Sequence, residues 1–235
     1  MYGLSSAAAH ALGDRGLEAV HLNYLAWAYA VCMSRYQDAI ETATKALTIA
    51  AETGDTRQQA WARQYIALWY VRLGDYARAE QNAREALPLM EAAGDREGYP
   101  LALMRLGDSL RGLGRLEEAL DCHLRCVTLL RSPDHGAHPR LGEGILGLSL
   151  YRLGLTYAAM GNWHQAAERF DEAASLLQRQ GMRRFEGEAL LESGRALHEL
   201  GREAEARARL QDALQVFEDM GEQDTAATVR AELLA

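Results

Sequence analysis

The chain has 235 residues, 49% of them hydrophobic and 25% charged, a balance that excludes a disordered segment and supplies apolar surface for a sizeable core. Its formal net charge is −8 and its basic residues gather on no segment, which excludes a footprint for a nucleic-acid backbone. No apolar run reaches the ~18 residues of a membrane span, and Met1 to Ser6 lacks the basic-then-apolar layout of a secretory leader.

These features predict a cytoplasmic protein that binds neither nucleic acid nor membrane. Cys32, Cys122 and Cys126 form no disulfide framework, so reduced thiols are expected. Lys45 is the only lysine, and Arg supplies every other basic residue. Nothing in the physical chemistry of exposed side chains disfavours Lys so completely; a GC-rich coding sequence does, and this predicts an actinobacterial source.

With only 4 prolines and long intervals rich in Ala, Leu, Glu, Arg and Gln, the chain is expected to be helical nearly throughout, without strands. In chain order, Ala7 to Leu12 stand before Gly13-Asp14 and read as the tail of a helix whose partner helix is missing. Residues 1–16 are therefore expected to be the remnant of a preceding repeat, in a chain taken from a longer protein. Five helical hairpins are predicted next, at 17–54, 55–94, 95–140, 141–181 and 182–221, with 222–235 as a capping helix.

The hairpins are marked by a recurring string: Arg35-Tyr36-Gln37-Asp38-Ala39, Asp75-Tyr76-Ala77-Arg78-Ala79, Arg115-Leu116-Glu117-Glu118-Ala119, Asn162-Trp163-His164-Gln165-Ala166 and Arg202-Glu203-Ala204-Glu205-Ala206. Their closing alanines are spaced by 40, 40, 47 and 40 residues. All but the first follow a glycine, at Gly74, Gly114, Gly161 and Gly201, where a tight turn needs a positive φ; the first follows Ser34. Gly13-Asp14, Gly54-Asp55 and Gly94-Asp95 mark the junctions between hairpins. The longer interval holds Ser132-Pro133-Asp134-His135-Gly136-Ala137-His138-Pro139, read as a loop insertion that divides the array into three repeats and two.

Within the fourth hairpin, Leu153-Gly154, Tyr157, Gly161, Trp163, Ala166, Phe170 and Ala173 fall in the order of the tetratricopeptide repeat (TPR) motif. The chain thus resembles the TPR family over about residues 17 to 217. Leu116 and Glu203 depart from it at the turn aromatic, and Ser193 at a leucine. The Gly-x-aromatic-x-x-Ala signature argues against HEAT and armadillo repeats of similar period. The resemblance implies a right-handed α-α superhelix of about five hairpins, a non-catalytic domain and a protein or peptide ligand in its groove. The 40-residue period, Gly-Asp junctions and Arg-rich composition further resemble the C-terminal TPR region of actinobacterial transcription regulators, of the Streptomyces antibiotic regulatory protein family or the large LuxR type. That implies a sensory domain modulating an attached ATPase and DNA-binding module; the alternative is a stand-alone scaffold or peptide receptor.

Two sharper motifs compete with plainer readings. Gly142-Glu143-Gly144-Ile145-Leu146-Gly147 matches G-x-G-x-x-G but follows no strand, so a helix start is expected in place of a dinucleotide cradle. Cys122, Cys126, His135 and His138 have the residue types of a zinc site. Yet Cys126 takes the place held by Ala46, Ala86, Ala173 and Ala213 in the sister repeats, where a buried thiol acts as a small hydrophobe. No nucleophile pairs with a base, so no catalytic residue, metal or cofactor is assigned.

The family resemblance places the ligand-binding groove on the first helix of each hairpin. Carried over position by position, it implies Asn23, Trp27, Trp61, Gln64, Leu68, Arg72, Met104, Asp108, Arg111, Tyr151, Leu155, Leu191, Arg195 and His198. Leu68 and Leu155 equally suit packing against the adjacent repeat. The carboxylate clamp of chaperone-tail receptors is missing, because the corresponding places hold Asn23, Gln64, Asp108 and Arg111 with no Lys. Leu22 and Leu25 are expected to be exposed at the N-terminal end.

Overall fold

In a computed structural model the described residues are Ala9, 13–132 and 139–234, the side chains of 139–141 excepted. Among them the chain forms eleven helices and no strand: α1 (Arg15–Met33), α2 (Tyr36–Thr53), α3 (Thr56–Leu73), α4 (Tyr76–Ala92), α5 (Gly98–Gly112), α6 (Leu116–Arg131), α7 (Pro139–Ala159), α8 (Trp163–Arg179), α9 (Arg183–Glu199), α10 (Glu203–Asp219) and α11 (Gln223–Leu234). Consecutive helices pack on one another from α1 to α5 and from α7 to α11, as antiparallel hairpins joined by short turns. Most of the Ser132–Pro139 insertion lies outside the described residues, as does nearly all of Ala7 to Leu12.

Short connections are fixed by two devices. The C′ glycines adopt left-handed backbone, as at Gly54 (φ 73°), whose N–H bonds back to the last carbonyls of α2. One residue later an aspartate caps the next helix: Asp14 accepts from Leu17 N–H at 3.0 Å, Asp55 from Gln58 N–H at 2.9 Å and Asp95 from Gly98 N–H at 2.8 Å. The Gly-Asp junction is thus a helix stop joined to a helix start. Ser34 takes the same left-handed conformation without being glycine, at φ 54°.

The chain divides into two compact units, Met1–Cys122 and His123–Ala235. The boundary falls inside α6, ahead of the insertion that the sequence suggested, and packing explains why. Ala119 and Cys122 join Ala67, Ala83, Leu106 and Leu110 in a cluster of the first unit. Beyond them, His123 Nδ1 meets Thr156 Oγ1 at 3.0 Å and Cys126 Sγ meets Ser149 Oγ at 3.3 Å, both on α7 in the second unit.

In the first unit the core gathers Ala26, Ala30, Ala39, Ile40, Ala43, Ile66, Leu68 and Trp69. In the second, α11 lays Ala226 and Val229 against Leu191, Leu210, Ala213 and Phe217, so the last helix is held by apolar burial. The five motif alanines are at most 2% exposed. Their small size, with glycine opposite, sets how closely paired helices approach: a Cβ on Gly154 would lie 2.6 Å from the Phe170 ring, and one on Gly194 2.8 Å from Leu210.

The same reasoning explains the G-x-G-x-x-G string. Gly144 and Gly147 lie within α7, and a Cβ on Gly147 would approach Leu177 to 3.0 Å. These glycines serve helix packing, with no phosphate-binding turn around them. Cys126 is fully buried like Ala46, Ala86, Ala173 and Ala213, as its alignment with them requires. Among the described residues no group of three or more His, Cys, Asp or Glu is arranged to hold a metal; His135 and His138 lie outside them. No helix among the described residues is long and apolar enough to cross a membrane.

Candidate interaction surface

The first unit carries a continuous aromatic surface built from α1 and α3. Trp61, Tyr65 and Trp69 recur every fourth residue on α3, so their rings share a face. Tyr65 is the centre: its ring centroid lies 5.5 Å from each of Trp61, Trp69 and Trp27, the last reaching across from α1. Trp69 is 1% exposed and anchors the ladder in the core, whereas Trp27 is 42% and Tyr24, one turn away on α1, 52% exposed. Burial, with the neighbouring Tyr24 phenol and the Asp95 carboxylate, pushes the Tyr65 phenol up to about 12.

Hydrogen bonds fix the edges of this surface. Asp95, buried at the start of α5, uses Oδ1 to cap its helix and Oδ2 to accept from Arg57 Nε at 2.8 Å and Trp61 Nε1 at 2.9 Å. Burial alone would raise the Asp95 pKa; the bonds from Gly98, Trp61 and Arg57 outweigh it and hold the carboxyl below its ordinary range. Asn23 Nδ2 donates to the Gln58 side chain at 3.0 Å. Both acceptors of Asn23 Nδ2 belong to Gln58, so its oxygen is the end that points away, and that atom is buried without a donor. Gln64 Oε1 is likewise buried without one.

The remaining groove candidates are distributed unevenly. Arg72 is exposed and Arg111 half-buried, at the C-terminal ends of α3 and α5, where a cation also suits the helix dipole. Leu68 and Met104 are buried in the core. Asp108 is 1% exposed, between Arg105 and Arg111 at 3.6 Å from each. In the second unit Tyr151 is buried against Phe170, Leu191 joins the apolar cluster, and Leu155 is half-buried. Arg195 is exposed and spans Glu192 and Glu232, and exposed His198 faces Glu203 at 3.1 Å.

The structure therefore brings Trp27 and Trp61 together through Tyr65 on the first unit, whereas Asn23 and Gln64 are buried. It adds Tyr24 and Tyr65, which the repeat alignment did not select; their signal in the sequence is the aromatic spacing Tyr24-x-x-Trp27 and Trp61-x-x-x-Tyr65-x-x-x-Trp69. Leu22 packs half-buried beside Ala19, Ile49 and Ala50, so the exposed apolar residues of α1 are instead Leu17, Tyr24, Trp27, Val31 and Met33. The second unit also holds a polar cleft of about 470 Å³ between α8, α9 and α10. Its charges close on one another: Arg209 grips Asp171 through two bonds of 2.8 and 3.0 Å, and Arg183 meets Glu186 at 3.0 Å.

Hairpins stopped by left-handed glycines and packed through small residues define a helical-repeat protein. A family model for the tetratricopeptide repeat matches residues 17–92 and 146–219, and the chain belongs to the TPR family. A comparison with curated protein sequences finds no match. Among solved structures it is similar to BtubC (BKLC) from P. vanneervenii, at 17% identity and TM-score 0.75 over 94% of this chain and 89% of that one. It is also similar to the quorum sensor NprR from B. thuringiensis, at 17% identity and TM-score 0.72 over 92% of this chain and 58% of NprR. NprR has also been solved in complex with its cognate peptide NprX. A third relative in fold is PH0952 from Pyrococcus horikoshii, a signal transduction ATPase with numerous domains and a TPR sensor, at 16% identity and TM-score 0.64. There the match covers 93% of this chain and 37% of that one.

Proposed function

We propose that this chain is the interaction and sensory domain of a larger cytoplasmic regulator of transcription, binding a protein or peptide partner and modulating an attached ATPase or DNA-binding module. The observation that carries the binding role is the aromatic face of the first unit. Trp27 and Tyr24 remain exposed although the core is complete without them, and the rings beside them are anchored by Trp69 and by the Trp61–Asp95 bond. Anchored aromatic rings with arginines nearby are the composition that dominates binding energy at interfaces. The likeness to NprR, solved with a peptide, and to a TPR sensor within an ATPase supports both parts of the reading.

The groove residues proposed to meet the partner are Trp27, Trp61, Arg72 and Arg111, with Tyr24 and Tyr65. Selection of ligands from a displayed random-peptide library tests this directly: a chain carrying Trp27→Ala and Arg111→Ala is expected to lose at least tenfold in affinity for the selected peptides. Unchanged affinity would refute the placement. The regulatory context is tested by the reading frame upstream of Met1, where a Walker A loop supports an attached ATPase and a stop codon refutes it. The likeness to BtubC, which this chain covers almost completely, favours a second reading as a stand-alone scaffold.

A further inference from the structure

We propose that the chain dimerises with a second copy of itself through the outer stripe of α1. The inference rests on the reading of Trp27 and Tyr24 as an interaction face and names the protein that meets it.

The stripe is already present in the sequence of α1. Leu17, Val20, Tyr24, Trp27 and Val31 are separated by 3, 4, 3 and 4 residues, the apolar spacing with which one helix packs along another. The structure leaves this seam open: Leu17, Tyr24, Trp27 and Val31, with Met33 at the end, are 42–60% exposed, and Val20 is half-buried. The core draws on other residues of the helix, chiefly Ala19, Ala26 and Ala30. The last helix is unlike it. Before Leu234, the residues exposed on α11 are Gln223, Asp224, Ala227, Thr228, Arg230 and Ala231, all small or polar, as the end of a repeat array requires.

The seam is large enough for a specific contact. At roughly 150–250 Å² per large side chain, the exposed parts of these five residues amount to roughly 450 Å². Two copies, with the half-buried Val20 and Ala28 added, bury about 1,000 Å², the lower bound of a specific and reversible interface.

Self-complementarity and charge select a second copy as the occupant. A two-fold pair needs a patch that fits itself. Turned antiparallel about the point midway between Tyr24 and Trp27, α1 sets Tyr24 opposite the partner's Trp27 and Val20 opposite the partner's Val31, so these layers of the seam match apolar with apolar. Two copies of net charge −8 repel unless the surfaces that meet are uncharged. From Ala19 to Ser34 there is no Asp, Glu, Lys or Arg. The arginines around the seam are paired within the chain, Arg15 with Glu18 and Glu52, Arg35 with Asp38 and Arg57 with Asp95, while exposed Arg72 stands on α3, outside the seam. A strongly charged partner therefore finds no counter-charge on the seam itself. Tyr and Trp, each with a polar tip on an apolar body, suit a surface that is wet in the monomer and covered in the dimer.

Sedimentation velocity of the full chain from low to high micromolar concentration tests the proposal. The expected result is a monomer–dimer equilibrium that 0.5 M NaCl does not weaken. Val31→Glu, which places a carboxylate on the seam of each copy, should weaken it at least tenfold; Val31→Leu should preserve it, and Leu234→Glu, at the other end of the chain, should leave it unchanged. Circular dichroism separates loss of association from loss of fold, and Val31→Gln replaces Val31→Glu should the charged variant misfold. A chain that stays monomeric, a dimer dispersed by salt, or one indifferent to both Val31→Glu and Val31→Gln overturns the proposal. A chain lengthened upstream of Met1 that is monomeric and shields Trp27 gives the seam to a preceding hairpin and overturns it too. A monomer whose library-selected peptides still depend on Trp27 leaves the binding role standing; peptides indifferent to Trp27, together with a dimer indifferent to the Val31 variants, overturn both.

Discussion

Asp95→Asn and Asp95→Ala together dissect the joint that holds α3 against the start of α5. Asp95 Oδ1 caps α5, while Oδ2 accepts from both Arg57 and Trp61. Loss of the cap costs about 1 kcal/mol. Leaving the half-buried Trp61 indole without an acceptor costs about 1 kcal/mol more. The Arg57 pair adds little, ~0–1 kcal/mol, because the Arg57 side chain is 62% exposed. Asp95→Ala should therefore lose about 2–3 kcal/mol. Asp95→Asn keeps the cap oxygen but turns an amide NH₂ toward two donors, and should lose about 1–2 kcal/mol. Urea unfolding followed by tryptophan fluorescence and circular dichroism reads both. The pH dependence has a fixed sign: the folded pKa is depressed, so the carboxylate's contribution is present above the ordinary Asp value of about 3.9 and is lost as pH falls through the folded pKa. The gap between wild type and Asp95→Asn should accordingly close in acid. An Asp95→Asn chain as stable as wild type at pH 7 would refute the role given to Oδ2.

Gly154→Ala places a methyl 2.6 Å from the Phe170 ring, and denaturant unfolding should show a loss of about 1–3 kcal/mol as the ring is displaced. Gln64→Met removes a buried acceptor without a donor at similar volume, and is expected to raise stability by about 1 kcal/mol in the same assay. Ser34→Gly relieves a left-handed backbone at a non-glycine residue, with an expected gain of up to about 1 kcal/mol; a loss would show that Ser34 is held by something besides its backbone.

The fold was largely legible because its determinants are local. A left-handed C′ glycine, an aspartate N-cap one residue later and a small residue at the helix crossing each announce themselves within a few positions, and the 40-residue spacing repeats them. Ser34 was the one turn where the expected glycine is missing, and the backbone there is left-handed all the same. Where the units divide was less legible: the insertion drew attention to residues 132–139, whereas the polar contacts of His123 and Cys126 with α7 settle the boundary within α6.

The candidate site was legible only in part, for a physical reason. Repeat alignment assigns a residue to a face of its helix but does not say what covers that face. Leu68, Met104 and Asp108 occupy groove positions by alignment, yet are 8%, 1% and 1% exposed. Tyr24 and Tyr65 fall between the aligned positions and still reach the surface, because aromatic rings on neighbouring helices extend beyond the residues directly in line. The pairing of Trp61 with Asp95 spans 34 residues in sequence, and no local pattern foretells it.

The chain contains four tryptophans, of which Trp27, Trp61 and Trp69 belong to the first unit and Trp163 to the second. Their indole N–H resonances, in protein labelled with ¹⁵N at tryptophan, report directly on where a library-selected peptide binds. Binding on the aromatic face of α1 and α3 predicts a saturable shift of the Trp27 resonance with the Trp163 resonance unmoved. A shift of Trp163 with Trp27 unmoved would contradict it.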